Sequence, residues 1–571
     1  MQEDKGTFVR CRRAWPALSA SLLCQAALAQ APPDAGSLLK QAEQQRPAPP
    51  PNKAAAALTE SGKAAPTPGP EAGPRVQVRA FALEGQSLFG EAELQAVLAP
   101  WVGRALSLAE LRQAAAAVCA RYAEAGWLAH CDLPPQDITD GLIRIRVLEA
   151  RMGRVRIEGQ PQRVSSARAE AMLQAASPQG ERLSIVRTER AVLLLSDLPG
   201  LSASAALRPG AAEGETDVLL TLNDRALFAA DLSLDNAGQR STGVNRAAAT
   251  AQLNSPLGLG DGWLAQLMHT EGSDYLRAAL SVPLGLDGWR ASVSVSGLRY
   301  RLQTDELAPL GGRGTARSAG LELGHALLRT RTRNIDLRFS VKADRFDNEA
   351  GGATTSHYRS RSAGVALSAN AVDEWGGGGA NALGLQWLRG SLDLAGSPSE
   401  AADAAGPAAN GRFDKLLYSA NRQQAITRWL SASLNLAGQW AHKNLDSSER
   451  FYLGGPAGVR AYPSSEGSGS SGQLVNAELR AQLPANFVLA GFYDWGHVTS
   501  LVSGGLAGTG PNSYSLKGTG LALSWSGPHA LNLRATWARR IGSNPNPTLT
   551  GSDEDGTLTR KRLWLQASMP L

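Results

Sequence analysis

Residues 335–344 read Ile-Asp-Leu-Arg-Phe-Ser-Val-Lys-Ala-Asp, apolar at every odd position and polar at every even one. A period of two belongs to a β-strand whose faces meet different surroundings. The polar face carries Asp336, Arg338 and Lys342, and unpaired charges in a dry interior are too costly to leave there. That face therefore sees water, while the apolar face needs cover. The same rhythm returns at 289–296, 430–436, 531–537 and 563–569. A soluble sandwich would have to bury the apolar face against a second sheet, whereas a closed transmembrane barrel places lipid outside, water inside and leaves no open edge. From residue 226 onward about sixteen such segments of roughly ten residues follow one another, the length of tilted spanning strands. Short turns (256–262, 284–288, 484–486) alternate with longer loops (303–316, 395–410, 443–472, 503–512, 543–558), the asymmetry of outer-membrane barrels. The fold class is thus a β-rich membrane protein, a 16-stranded antiparallel transmembrane β-barrel over 224–571. With alanine-rich strands and 6% aromatic residues, its lipid-facing band is weak.

The N-terminal two-fifths follows other rules. Lys5, Arg10, Arg12 and Arg13 precede an apolar run, and Ala27-Leu28-Ala29 offers a cleavage site, so residues 1–29 read as a signal peptide. Its removal takes Cys11 and Cys24, leaving Cys119 and Cys131 as the mature thiols. In an oxidising compartment the pair favours one local disulfide over two buried free thiols. With only His130 beside them, a zinc site lacks ligands. Residues 30–74 hold a short helix over about 34–46, with an acidic start and a basic end that suit the helix dipole, and a Pro/Ala-rich linker. Two copies of a β-α-α-β-β pattern follow, at 75–149 and 150–223. In the first, strands at 76–83, 127–133 and 141–148 flank helices at 90–98 and 107–125. In the second, strands at 153–158, 201–207 and 216–222 flank helices at 165–175 and 184–196.

Four motifs carry a family resemblance. Val459-Arg460-Ala461-Tyr462 in a glycine-rich loop resembles the Val-Arg-Gly-Tyr signature of Omp85-superfamily barrels, and Phe492-x-Asp494 resembles the acidic barrel-wall motif that this arginine contacts. Tyr122, Trp127, 133–136 and 141–149 look like the first POTRA (polypeptide-transport-associated) domain of two-partner secretion transporters, the TpsB type. Residues 235–238 and 254–261 resemble the first barrel hairpin of the same proteins. The resemblance implies periplasmic POTRA1 (75–149) and POTRA2 (150–223), an N-terminal helix that plugs the barrel, and loop 443–472 folded inward so that Arg460 latches onto Asp494. Ala461 departs from the usual glycine, and a left-handed backbone there would cost alanine roughly 1 kcal/mol.

The functional expectation is an outer-membrane pore that recognises an unfolded partner exoprotein through its POTRA domains and secretes it to the cell surface without ATP. The resemblance implies a β-helical TpsA-like partner, an adhesin, cytolysin or toxin. Outer-membrane lipids, and barrel assembly machinery during biogenesis, are the other expected partners. Exposed edge strands invite strand addition, which places the candidate binding edges between Trp127 and Leu133 and between Leu201 and Leu207. Alternatives are an Omp85-type assembly or insertion factor, a passive porin and a barrel hydrolase built on scattered groups such as His325 and His357. No phosphate loop, His-Glu-x-x-His or Gly-x-Ser-x-Gly occurs, so neither an enzyme nor a cofactor or metal is expected. The formal charge of +6 is spread without a basic stripe, which argues against nucleic acid.

Overall fold

The computed structural model describes residues 32–44, 59–60, 74–138, 140–504 and 510–571. The expected signal peptide and most of the linker lie outside these residues. Helix α1 (Ala35–Gln44) comes first, and strand β1 (Thr59–Glu60) stands alone between it and the first α/β unit. That unit contains β2 (Val76–Gln77), β3 (Ala80–Glu84), α2 (Glu91–Leu98), β4 (Ala105–Leu106), α3 (Leu108–Glu124), β5 (Ala129–Asp132) and β6 (Leu142–Glu149). Its main sheet runs β3-β6-β5, with β5 at one edge. α3 starts on a capping box: Ser107 accepts from the Glu110 N–H, and the Glu110 carboxylate accepts from the Ser107 N–H at 2.7 Å, satisfying two otherwise orphaned donors.

Cys119 on α3 is bonded to Cys131 on β5, with Cα atoms 5.8 Å apart. Closing a loop of this size restricts the unfolded chain by about 3 kcal/mol. The double substitution Cys119→Ser with Cys131→Ser is therefore expected to unfold this unit at lower urea by that amount, followed through tryptophan fluorescence. An unchanged midpoint would show that the staple is dispensable.

The second unit repeats the order with β7 (Arg151–Glu158), α4 (Ser166–Ala176), α5 (Ile185–Ser196), β8 (Leu201–Pro209) and β9 (Glu215–Asp224). Its sheet runs β1-β8-β9-β7.

The barrel strands are β10 (Phe228–Asp235), β11 (Arg246–Asn254), β12 (Gly262–Thr270), β13 (Ser273–Leu284), β14 (Trp289–Arg301), β15 (Arg313–Arg329), β16 (Arg333–Ala350) and β17 (Ala353–Asp373), continued by β18 (Gly379–Asp393), β19 (Gly411–Ala425) and β20 (Leu430–Ala441). A small hairpin, β21 (Phe451–Tyr452) with β22 (Ser468–Gly469), lies within the loop that follows β20. The barrel then resumes with β23 (Ser471–Leu483), β24 (Phe487–Thr499), β25 (Ser513–Ser526), β26 (Asn532–Arg540) and β27 (Lys561–Pro570). Sixteen strands close, β27 pairing antiparallel with β10, the number expected from the rhythm of the sequence. β15 starts at Arg313, so the loop expected at 303–316 is shorter: residues 313–316 pair with 346–349 of β16. β16 turns into β17 at Gly351 and Gly352, whose φ values of +58° and +80° suit a two-residue hairpin connection.

The second unit is seated on the barrel's short turns. Arg329 donates to both oxygens of Asp197 at 2.7 and 2.8 Å, and Arg168 donates to the Gly285 carbonyl at 2.8 Å. The motif at 254–261 forms one of these turns. Asp261 is fully buried and accepts from the Trp263 indole at 2.8 Å, while Ser255 donates to the Arg163 carbonyl at 2.5 Å. This turn couples the first barrel hairpin to the second unit.

Candidate functional site

Two pieces of chain occupy the lumen. The first is α1. Its residues Ala35, Leu38, Leu39 and Ala42 repeat at helical spacing and pack on inward-facing Tyr275, Leu298, Tyr300, Phe346 and Tyr358 of the wall. Asp34 caps the helix by accepting from the Ser37 N–H at 2.8 Å. The same carboxylate accepts from the Ser447 hydroxyl at 2.7 Å. The Ala35 N–H donates to Asn348 at 2.8 Å, and Lys342 pairs with Glu43 at 3.1 Å. A side chain at position 36 would lie 2.5 Å from the Tyr358 hydroxyl, so only glycine lets the helix sit this close.

The second piece is the long loop between β20 and β23. Its tip turns tightly enough that a Cβ on Gly454 or Gly458 would meet a backbone carbonyl at 1.9 Å. The turn presents Val459, Arg460, Ala461 and Tyr462 to the wall, all at most 4% exposed. Gly496 and Gly518 clear the wall for them: a Cβ there would strike Leu453 at 2.6 Å and Ala461 at 2.8 Å. Ala461 is not among the residues with positive φ, so the alanine carries no left-handed strain.

Arg460 donates through Nε to Asp494 Oδ2 at 2.9 Å and through Nη2 to Oδ1 at 2.6 Å, a bidentate pair that its own N–H extends with a third bond at 3.0 Å. Its guanidinium lies 3.5 Å from the centroid of the Phe492 ring, a cation–π contact. Asp494 is fully buried and also accepts from Asn476 at 2.8 Å. The remaining guanidinium nitrogen, Nη1, donates to Glu478 on β23 at 2.5 Å, and Glu478 in turn accepts from Arg480 at 2.8 Å. The Trp564 indole donates to the Arg460 carbonyl at 2.8 Å, tying the loop to the last strand. The arrangement holds charge in place rather than activating it: each buried carboxylate faces a fixed donor, as a clamp requires.

Glu478, Asn476 and Trp564 belong to this clamp and were not singled out from the sequence. For Asn476 and Glu478 the signal was the inward alternation of β23, where Asn476, Glu478 and Arg480 form a polar column beside the strand that carries Asp494; Trp564, on β27, had none of this kind. The candidate binding edges contain the strands β5 and β8, but the residues that bound them do not line a free edge. Trp127 is not on the edge strand: it bridges Ser184 of the second unit and stacks under Arg187, 5.6 Å from the ring centroid. Leu133 falls just past β5 and packs on the first unit's core. Leu201 is fully buried in the second unit's core, and the edge at Ala206 and Leu207 is taken by β1, which pairs parallel to β8 there. Within the first candidate stretch, β5 itself is an edge strand of its sheet, paired only with β6.

Residues 214–511 match the family described as haemolysin secretion/activation protein ShlB/FhaC/HecB, and residues 76–150 match the POTRA domain of ShlB type. The chain belongs to the haemolysin secretion/activation family. It is 26% identical over 528 residues to the heme/hemopexin transporter protein HuxB of Haemophilus influenzae strain 86-028NP, covering 90% of this chain and 92% of that one. It is 24% identical over 446 residues to the outer membrane transporter CdiB of Dickeya dadantii, covering 75% and 77%. The structure of CdiB from Escherichia coli superposes with a TM-score of 0.71 at 22% identity, over 95% of this chain and all of that one. This TpsB transporter is an outer-membrane protein of two-partner secretion whose POTRA domains lie in the periplasm.

Proposed function

We propose that the transporter secretes an unfolded partner exoprotein, capturing it on POTRA1 and passing it through the barrel without nucleotide. The chief support is one juxtaposition: a closed barrel whose lumen holds α1 and the Arg460 loop, joined to a periplasmic unit with an unpaired edge at β5. We assign residues 75–149 to POTRA1, 150–223 to POTRA2 and 224–571 to the barrel, with α1 as the plug and residues 1–29 as the export signal. An extended segment adding to β5 would gain main-chain hydrogen bonds without unfolding the receptor. The β8 edge is a poorer receptor because the linker strand β1 already occupies part of it. Polar lumen walls let an extended chain exchange hydrogen bonds as it moves, and folding outside the cell supplies direction. By analogy with relatives named as transporters, the cargo is a large secreted protein of the adhesin, cytolysin or toxin type.

Deleting residues 76–149 is expected to abolish binding of the N-terminal domain of the partner exoprotein, measured by co-purification. Undiminished binding by the deletion variant would exclude POTRA1 as the receptor.

A further inference from the structure

The outer wall of the barrel carries arginines where a lipid-facing surface has few partners for them. Ala316, Phe346 and Tyr358 point inward and are buried in the lumen, so the next residues along, Arg317, Arg345 and Arg359, point outward. Arg317 stands directly opposite Arg345, and Arg345 directly opposite Arg359. Like charges facing one another across a ladder destabilise a sheet, and here three stand in one row. Arg361, Arg389 and Arg412 continue the patch on β17, β18 and β19. Neighbouring acids answer only part of it: Asp347 lies 3.5 Å from Arg345 and Asp414 lies 3.7 Å from Arg389. Arg317, Arg361 and Arg412 have no ion pair among the described residues.

The height of the patch is set by the strand. Outward positions on β16 run Ile335, Leu337, Phe339, Val341 and Ala343 before Arg345. Ten residues of tilted strand rise roughly 25 Å, the full apolar band of an outer-membrane barrel. On β18, Trp387 lies two residues below Arg389 on the same face, an aromatic marker of the interface. The arginines therefore sit at the level of the outer-leaflet headgroups. Directly beneath them the wall is recessed by about 650 Å3, bounded by Arg361, Arg389 and Arg412 and floored by Val293, Leu321 and Val341. Ala319 and Ala343, opposite one another, make the recess shallow and smooth.

We propose that this face binds lipopolysaccharide, the multiply acylated, phosphorylated glycolipid of the outer leaflet, with acyl chains in the recess and phosphates on the arginines. Guanidinium groups match phosphate with paired hydrogen bonds, and anionic lipid would neutralise the repulsion along the Arg317–Arg345–Arg359 row. The apolar floor separates a lipid from a free anion, since inorganic phosphate has nothing to place there.

The test uses the detergent-solubilised full-length transporter and purified lipopolysaccharide. The triple variant Arg361→Gln, Arg389→Gln, Arg412→Gln is expected to bind it about tenfold or more weakly. Enzymatic dephosphorylation of the lipid is expected to weaken binding to the unaltered protein similarly, an arm that does not depend on the variant folding. Inorganic phosphate should not compete, and Arg428→Gln, at an exposed site on the opposite rim, should bind normally. Unchanged affinity in the triple variant, full competition by inorganic phosphate, or an equal loss in Arg428→Gln would each overturn the proposal.

Discussion

Replacing Arg460 with alanine is expected to free the lumenal loop from the wall and to lower secretion about tenfold or more, while the barrel itself still assembles. The substitution removes both side-chain bonds to a carboxylate that is fully buried. Breaking one side of such a pair costs roughly 3–5 kcal/mol, because the charge left behind has no water to replace its partner. Asp494 would keep only the Asn476 amide and the residue-460 N–H, and the latter holds only while the loop stays docked. Glu478 keeps Arg480, so the loss concentrates on Asp494. The sixteen-strand ladder does not pass through the loop, and heat-modifiable migration on SDS gels should be unchanged. Limited proteolysis should then cut within 451–470 in the variant and spare the parent. Removing both charges, with Arg460→Ala and Asp494→Ala together, should do less harm than the sum of the single changes, since no orphaned carboxylate remains. Additive losses in that cycle, or full secretion by the single variant, would count against a latch.

The barrel was legible because its chemistry is written at a period of two: Asp336, Arg338 and Lys342 could not share a dry core with one another, and their neighbours could not face water. The clamp was legible only in part. Arg460 and Asp494 sit in recognisable motifs, but Glu478 and Trp564 are single residues on ordinary strands, brought to the site by barrel closure between distant stretches of sequence. The docking of α1 left a trace that alternation alone misreads. Leu298, Tyr300, Phe346 and Tyr358 are bulky residues at inward positions, an apolar patch inside a polar tube that makes sense once a helix covers it. The binding edges were legible only as stretches, β5 lying inside 127–133 and β8 beginning at Leu201, and their end residues were not, for a related reason. Trp127 and Leu201 lie on strand-like stretches, but whether a strand edge is free depends on what packs beside it, and neither the Trp127–Ser184 bridge nor the pairing of β1 with β8 is a local property of the sequence.

Glu149 is the residue whose loss should most disturb the periplasmic arm. It ends β6, between the two units, and gathers donors from both. The Ser87 hydroxyl at 2.5 Å and N–H at 2.7 Å, the Leu88 N–H at 2.7 Å and the Tyr122 hydroxyl at 3.0 Å come from the first unit, and Arg182 at 2.9 Å comes from the second. Burial alone would raise its carboxyl, but the hydrogen bonds from Ser87, then those from Leu88 and Arg182, hold it down at about 2. A carboxyl depressed on folding stabilises the fold fully above its unfolded value of about 4.5 and loses that contribution as pH falls toward about 2. The shift corresponds to a contribution on the order of 3 kcal/mol. Thermal unfolding of the two-unit arm should therefore fall steeply between pH 4.5 and pH 2 in the parent and more gently in Glu149→Gln. At pH 7 the glutamine variant should already be destabilised by a similar amount, since an amide can accept from fewer of these donors and cannot pair with Arg182. Because Arg182 reaches Glu149 across the joint, the loss should also appear as greater freedom between the units, read as a broader distance distribution between spin labels on α3 and α5. Parallel pH profiles for parent and variant would show that the joint is held by other contacts alone, the bridge of Trp127 to Ser184 and the packing of Leu128 in the second unit's core.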